Sequence, residues 1–432
     1  MRRVLVRAPL AITLAGSLSL ALAGCPEKTD AAPKDGERAG AGPASAPSSR
    51  PSQVTAAGPA PIVDHAKYVT DEIDVPTRVG VKRVFLRQSR VSLIRDPVFL
   101  DDQTVAFVAK VSGVLGIWKL GIAGDKPAEL ILPRPLADPS AKPTARNRGN
   151  WFIGTPRLFP DGKHLIFEGT NQNPYQPYTN VLGIAPTKGG PIAAIEAKGV
   201  KAARTPDVHK DGETVVFSSC DELRVGRLKG RDDQELESTV VLKVPRLSSV
   251  HEATCTVYRP RFSPDGKRIV FELIGKFVDE AFKKENKIPD PINEADFLLE
   301  PWIVNADGTG LTRLVSEDAY KTISGRLQSG GTKDPVFSPD GREVAFSHGN
   351  SIAVVSVDGK SARVVAAGAA PGAGGNVSLH FLESDPAFSP DGRYLVSAST
   401  LEGGEKAAPP GLSVIDLKAL APKQDGEAPP SP

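Results

Sequence analysis

The sequence predicts an all-β fold, a six-bladed β-propeller built of four-stranded antiparallel blades. The first observation is a phrase of a proline, a hydrophobic residue, a Pro-Asp-Gly turn and an apolar strand, which recurs about every 50 residues. Copies occupy 259–271, 334–342 and 385–393, with weaker copies at 156–163 and 206–213. A degenerate copy at 96–102 lacks the turn glycine. Strands repeated at this spacing are typical of propeller blades.

The chemistry of the turns supports four strands in each unit. Proline presets the Ser-Pro-Asp-Gly turn, its aspartate accepts hydrogen bonds from nearby amides, and its glycine adopts the left-handed conformation. A second strand follows, as at 301–304, and an Asp-Gly turn at 307–308 leads to a last strand at 311–314. Asp-Gly suits that hairpin because its turn needs positive φ.

The phrase Phe-Ser-Pro-Asp-Gly-Lys/Arg, read together with the later Asp-Gly turn, resembles the TolB-like six-bladed propeller repeats of bacteria. The resemblance covers about residues 80–420. It implies a closed ring of six blades, although we expect no counterpart of the separate α/β domain of TolB.

The ends of the chain predict how the ring closes. The sixth unit has a strand at 412–417 and then only a polar tail, so its fourth strand is missing. Residues 81–87 form an unassigned strand-like run before the first blade, and we expect this run to supply that strand. Closure of this kind leaves no long open sheet edge.

Composition limits the classes of function. The chain has 432 residues with 53 basic and 51 acidic side chains, for a net charge of +2. This balance gives no electrostatic case for nucleic acid. Six histidines and three cysteines leave little material for a metal cluster. We therefore expect no metal and no cofactor, and a monomer.

The N-terminus is typical of a bacterial lipoprotein. Residues 1–25 have a basic start, an apolar run and the ending Leu22-Ala23-Gly24-Cys25, which resembles the lipoprotein cleavage box with Cys25 as the lipidated residue. The alternative is an ordinary secretory signal with a chance cysteine. We expect an anchor in the bacterial cell envelope, on the outer membrane facing the periplasm, because Pro26 replaces the aspartate that signals inner-membrane retention.

Composition also divides the mature chain. Residues 26–61 lack large apolar side chains and predict a disordered tether. The propeller is predicted over 62–420, and 421–432 form a disordered tail.

The two faces of the predicted propeller differ. The Ser-Pro-Asp-Gly hairpins lie on one face, here called the turn face, and the longer irregular loops lie on the other, the loop face. Binding residues tend to lie on such loops. The loop-face candidates are Trp151, Tyr175, Tyr178, His251 and His380. The insertion at 275–299 predicts a short helix, which either packs over its blade or forms a partner-contacting flap.

The innermost strands predict a polar axial channel, because alternate residues of a strand share one side. The channel candidates are Asp96, Arg157, Asp207, Arg259, Arg261, Asp334 and Asp385. They form either a site for a charged ligand or a water-filled channel of mutually satisfied charges.

Two cysteines lie where neighbouring blades meet. Cys220 ends a strand of the third blade and Cys255 precedes the fourth. An oxidising compartment favours a disulfide between them, and two buried thiols are the alternative.

The functional prediction is a binding scaffold. No Gly-x-Ser-x-Gly motif occurs, and the histidines are scattered without metal-ligand spacing. We therefore expect no enzyme. The expected role is an envelope lipoprotein that docks another envelope protein or a cell-wall glycan on its loop face. The alternative is a carbohydrate- or peptide-active enzyme with its site at the channel mouth, for which His251, His348 and His380 are the first residues to examine.

Overall fold

The structure is a computed structural model of the chain. It describes residues 80–86, 90–133, 150–172, 179–200, 202–231, 235–250, 255–288, 299–324, 332–366, 380–402 and 410–420. Cys25, the tether and the C-terminal tail lie outside these residues.

The described strands form six sheets, which confirms the predicted six-bladed propeller of four-stranded antiparallel blades. Strand β1 is Val81–Phe85. The blades, from inner to outer strand, are blade 1, with β2 Val91–Asp101, β3 Thr104–Val111, β4 Val114–Gly121 and β5 Glu129–Pro133; blade 2, with β6 Asn150–Leu158, β7 His164–Gln172, β8 Thr179–Pro186 and β9 Ala193–Ala197; and blade 3, with β10 Arg204–Val208, β11 Thr214–Ser219, β12 Glu222–Arg227 and β14 Ser238–Lys243.

The remaining blades are blade 4, with β15 Val257–Phe262, β16 Arg268–Ile274, β17 Leu299–Asn305 and β18 Thr312–Arg313; blade 5, with β19 Thr332–Phe337, β20 Glu343–His348, β21 Ser351–Ser356 and β22 Ala362–Ala366; and blade 6, with β23 His380–Phe388, β24 Tyr394–Glu402 and β25 Gly411–Asp416. Strand β13, Glu235–Leu236, pairs parallel to β9 as a fifth strand of blade 2. The inner strands contact one another in chain order, and β23 contacts β2, so the ring is closed.

Blade 6 closes on the N-terminal strand, as predicted. Strand β1 pairs antiparallel with β25, from Val81 opposite Ile415 to Phe85 opposite Gly411. The same blade has a polar interior, where the buried Glu383 carboxylate accepts hydrogen bonds from the hydroxyls of Ser397, Ser399 and Ser413 at 2.7, 3.0 and 2.9 Å. Arg83 of β1 donates to Ser399, which links the closing strand to this network.

The other five blades are packed around a phenylalanine in the second strand. These side chains are at most 2% exposed: Phe107, Phe167, Phe217, Phe271 and Phe346. In blade 6 the corresponding residue is Ser397, which explains the polar network there. A fully buried phenylalanine contributes about 2–3 kcal/mol through removal of apolar surface from water, so this position stabilises each sheet.

The helices are short. They are α1 Glu280–Glu285, α2 Glu317–Ser324 and α3 Leu417–Leu420. Helix α1 lies in the 275–299 insertion and is capped by Asp279, whose side chain accepts hydrogen bonds from the Ala281 and Phe282 amides. Val278 is fully buried, and Phe282 packs against the apolar cluster shared by blades 3 and 4. The described part of the insertion therefore packs over its own blade and the neighbouring one, which agrees with the first of the two alternatives for it.

Blades 3 and 4 are joined covalently. Cys220 follows β11 and Cys255 precedes β15, and their sulfurs form a disulfide with Cα atoms 4.2 Å apart. The Val257 amide also donates to the Cys220 carbonyl at 3.0 Å.

The turn-face hairpins pack on one another around the ring. Each of the five turn glycines has positive φ, and all but Gly162 lie against the turn of the preceding blade. A Cβ at Gly212, Gly341 or Gly392 would lie 3.9, 3.5 and 3.8 Å from the Cδ of Pro160, Pro264 and Pro339. Blade 1 lacks the glycine, and there the Asp102 carboxylate accepts from the Asp391 amide at 3.0 Å.

Gly266 has the tightest of these contacts. A Cβ there would overlap Nε2 of His209, whose ring packs edge-on against Phe262 with centroids 5.2 Å apart. His209 is also held by the Asp211 carboxylate, 3.1 Å from its Nδ1. At Gly162, which has a similar φ, a Cβ would meet no atom within 4 Å. Comparing substitutions at these two glycines therefore distinguishes the effect of backbone strain from that of the inter-blade contact.

We predict that Gly266→Ala lowers the free energy of unfolding by about 1–3 kcal/mol more than Gly162→Ala, as for an overpacked site. The left-handed conformation lowers the free energy of unfolding of both alanine variants by similar amounts. The difference between the two variants therefore measures the contact with His209. Urea denaturation of both variants, alone and combined with His209→Ala, is the measurement. Equal destabilisation by the two alanines, or an excess that persists without the histidine, would contradict the stacked-turn account.

Candidate functional site

Each inner strand carries a β-bulge at the proline of the repeated phrase. Pairing between the first and second strands shifts register there in all six blades. The residue before each proline has φ between 47° and 60°, and these residues are Asp96, Thr155, Thr205, Arg259, Asp334 and Asp385. A left-handed non-glycine residue costs about 1–2 kcal/mol, so six in equivalent places need compensating interactions.

The compensation comes from the preceding blade, whose side chains accept the amide hydrogens of the bulges. The Thr155 amide donates to Asp96 Oδ2 and the Thr205 amide to Glu168 Oε2, both at 3.1 Å. The Arg259 amide donates to Thr205 Oγ1 at 3.1 Å, and the Asp334 amide donates to Glu272 Oε1. These bonds join blades 1 to 2, 2 to 3, 3 to 4 and 4 to 5.

The same bulges gather ionic side chains around the axis. One side chain from each blade interacts electrostatically with those of other blades, and we call this set the axial ring: Asp96, Arg157, Asp207, Arg259, Asp334 and Asp385. Six residues from six blades can share one electrostatic cluster only around the axis. The ring therefore contains two guanidinium and four carboxyl groups.

Arg259 holds one side of the axial ring. Its Nε lies 2.7 Å from Asp334 Oδ1 and its Nη1 lies 3.3 Å from Oε1 of the fully buried Glu272. Burial works to lower the pKa of Arg259, but Asp334 and Glu272 outweigh it and raise that pKa well above its ordinary value. Arg259 is thus a permanently charged, paired cation.

Asp334 and Asp385 form a carboxyl pair. Their side chains are hydrogen-bonded to each other, which requires a proton because carboxylates only accept. Burial, together with Asp334 and Asp96, raises the pKa of Asp385 well above its ordinary value. Asp334 is the member paired with Arg259, so the shared proton belongs mainly to Asp385.

Arg157 and Asp207 form the other side of the axial ring. Burial lowers the pKa of Arg157, opposed first by Asp207. Burial also raises the pKa of Asp207 to about 6, opposed first by Arg157 and then by the Phe262 amide, which donates to Asp207 Oδ2 at 2.8 Å. Arg157 Nη1 donates to the Pro156 carbonyl at 2.7 Å, and within the described residues the guanidinium makes no ion pair.

The other residues predicted as candidates lie elsewhere or cannot be placed. Arg261 is 3% exposed and donates to the carbonyls of Pro260 and Thr205 at 2.7 and 3.4 Å, so it binds backbone. His348 is buried, and its ring lies edge-on to Tyr320 at 5.3 Å. Burial lowers the pKa of His348 to about 4.

Several loop-face candidates fall outside the described structure. Tyr175, Tyr178 and His251 are not among the described residues. Trp151 and His380 are described only as backbone in β6 and β23. The described part of the chain contains no group of three or more His, Cys, Asp or Glu that could hold a metal ion. It also contains no helix with the length and apolar character needed to cross a membrane.

Sequence reasoning missed Glu168, Glu272 and Thr155. Both glutamates follow the buried phenylalanine of a second strand, where Val108 and Ser218 stand in blades 1 and 3. A charged residue at this interior position of an apolar strand was the available signal, because buried acids need partners. Thr155 lies before the proline of its phrase, but its side chain is neutral and so was not among the channel candidates.

The chain is thus a six-bladed β-propeller with an ionic axial ring. No protein-family model matches it. Its sequence is 27% identical over 209 residues to the uncharacterized peptidase YuxL of Bacillus subtilis (strain 168), a match that covers 45% of this chain. The match spans only 29% of that relative, less than a third of its length.

Two solved structures are similar to this chain over about three quarters of its length. A TolB candidate from Agrobacterium tumefaciens has a TM-score of 0.43 and 13% identity, over 75% of this chain and 90% of that one. A puromycin hydrolase has a TM-score of 0.45 and 13% identity, over 74% of this chain and 55% of that one. Because these scores are low, the fold assignment depends on the strand pairing of the chain itself.

The expectation that the chain is not an enzyme was wrong as stated, since its curated relative is named a peptidase. That expectation depended on the missing Gly-x-Ser-x-Gly motif and on scattered histidines. Neither observation bears on catalysis by carboxyl pairs.

Proposed function

We propose that the chain is an exported, lipid-anchored propeller that binds a segment of another envelope protein on its loop face, above the axial ring. The observation that carries this proposal is the ring itself. Two positions of the repeat, the residues before and after its proline, supply unlike ionic side chains in the six units, while the apolar positions stay nearly constant. Packing needs only the constant positions, so the variable ones fit recognition of an asymmetric ligand.

The position of the axial ring along the inner strands differs between blades. In blades 4 and 5 the ring residue is the third of its strand, Arg259 in β15 and Asp334 in β19, close to the loop face, where inner strands begin. In blades 2 and 3, Arg157 and Asp207 lie one residue before the end of their strands, close to the turn face. The longer loops of the loop face, rather than the depth of the ring, are therefore what supports a ligand on that side.

The anchor belongs to the same proposal. Lipidation at Cys25 would hold the chain on the outer membrane facing the periplasm, and residues 26–61 would separate the propeller from the lipid. A cell-wall glycan is the alternative occupant of the loop face.

Site-specific photo-crosslinking tests the proposal. A photoreactive residue at Val114, in the loop-face hairpin between β3 and β4, should capture a protein from intact cells, whereas one at Lys163 on the turn face should not. Both positions are exposed. Cys25→Ser should abolish lipid labelling and membrane fractionation. Equal capture from both faces, or capture only from Lys163, would contradict the loop-face assignment, and glycan capture would select the alternative occupant.

A second candidate function is peptide hydrolysis at the carboxyl pair, favoured by the hydrogen bond between Asp334 and Asp385. Protonated Asp385 would donate a proton to the leaving amine. Asp334, held by Arg259, would accept one from the attacking water. Paired carboxyl groups with separated pKa values can divide these acid and base roles.

For this candidate we predict that the protein cleaves fluorescently labelled casein and that Asp385→Asn lowers the rate at least about 100-fold, the loss expected for a general acid. Arg342→Gln, an exposed change on the turn face, is the control and should keep full activity. The measurement is fluorescence release from purified protein at pH 5–7. Cleavage that survives Asp385→Asn, or no cleavage by the unchanged protein, would exclude the candidate.

A further inference from the structure

The charged side chains of the axial ring differ in how many hydrogen-bond and ion-pair partners they have. Asp96 lies 3.6 Å from the Nε of Arg95 and accepts the Thr155 amide, and Asp334 is paired with Arg259. Asp385 shares a proton with Asp334. Asp207 accepts the Phe262 amide.

Arg157 differs from the other arginines near the axis. Arg259 has two carboxylate partners, whereas Arg157 has one hydrogen bond, to the carbonyl of the adjacent Pro156, and no ion pair in the described part of the chain. A guanidinium has five donors in a planar fork that fits a carboxylate bidentately. Arg157 therefore keeps donors for an external acceptor.

Thr155 supplies a second, independent observation. It occupies in blade 2 the position before proline, and its amide bonds the ring residue Asp96. Its side chain is 5% exposed, and no described group is a hydrogen-bond partner of its Oγ1. A buried hydroxyl without a partner is destabilising, and a ligand acceptor would relieve that cost. Blade 2 thus holds a buried hydroxyl that lacks a described partner and, two residues further along β6, a guanidinium with unused donors.

We propose that Thr155 and Arg157 bind a carboxylate of the segment recognised by the loop face, and that Asp207 makes this binding stronger at acidic pH. The inference rests on the proposed function for the identity of the ligand as a protein segment. The carboxylate is either the chain terminus or an acidic side chain, which share the chemistry that Arg157 recognises.

The pH dependence follows from the groups that face Arg157. Its opposing carboxylates are Asp207, Asp96, Asp334 and Asp385, with Asp207 the strongest. The pKa of Asp207 is about 6, so its negative charge is lost as pH falls through that value. A peptide carboxylate, with an ordinary pKa of about 3.5, stays ionised there. Protonation of Asp207 therefore removes the main internal carboxylate that competes with the ligand for Arg157, while the ligand keeps its charge.

The test uses the full chain and three fluorescein-labelled peptides: tetra-alanine with a free carboxyl end, its C-terminal amide, and an amidated peptide with one internal glutamate. Fluorescence anisotropy gives Kd at pH 7.5 and pH 5.0. The free acid should bind at least about tenfold more tightly than the plain amide, the value of one charge-assisted interaction. Binding of the internal glutamate peptide would identify a side chain, rather than the terminus, as the natural carboxylate.

Variants separate recognition from folding. Arg157→Gln should weaken binding of the acid peptide at least about tenfold without changing that of the amide, while Arg342→Gln leaves both unchanged. Asp207→Asn should give at pH 7.5 the affinity that the unchanged protein shows at pH 5.0, and should abolish the pH dependence. A merely structural role of Asp207 would not tighten binding. If Arg157→Gln fails to fold, Asp207→Asn and the comparison of acid with amide decide the question.

Equal binding of acid and amide peptides by the unchanged protein, or no binding of any of the three, would overturn the carboxylate site. If Val114 still captures a protein partner in that case, the proposed function stands without this site. If acid-selective binding through Arg157 occurs but Val114 captures nothing, the site stands and the scaffold proposal fails.

Discussion

The backbone amide of the residue before each inner-strand proline is the group on which the propeller depends. Proline interrupts the pairing of the inner strand, and the preceding residue adopts a left-handed conformation in all six blades. Its N–H leaves the sheet and turns toward the previous blade. A buried amide must find an acceptor, so Asp96, Glu168, Thr205 and Glu272 each bind the next bulge. Blades are thereby joined by directed hydrogen bonds as well as by apolar packing.

This arrangement has a consequence for function. The bulge that turns the amide outward also brings polar side chains of every blade toward the axis, where burial makes each unpaired charge costly. Most of that cost is offset internally, by Arg259 with its two acids and by the proton between Asp334 and Asp385. Arg157 of the ring and Thr155, two residues before it, are left with spare donors. The same bulges thus join the blades and carry the residues proposed for recognition.

The sequence was informative wherever a local rule applied. Turn chemistry and strand spacing predicted six blades, and the missing fourth strand of blade 6 predicted pairing of β1 with β25. Alternation predicted the ring residues, but it also placed Arg261 there, which instead binds the Pro260 and Thr205 carbonyls. Glu168 and Glu272 were missed because their partners are amides on the next blade, 37 and 62 residues away, and no local pattern encodes such a contact. Loop-face recognition by Tyr175, Tyr178 and His251 stays a prediction, since those residues lie outside the described structure.

Native-state hydrogen exchange at the bulge amides tests the central claim most directly. In the unchanged protein the Thr205 and Arg259 amides should exchange among the slowest of the chain, because each is bonded across a blade junction. Glu168→Val, which installs the type of residue found at the same position in blade 1, removes the acceptor of Thr205 alone. We expect protection at Thr205 to fall by at least about tenfold more than at Arg259. Unchanged exchange at Thr205, or an equal loss at both amides, would contradict it.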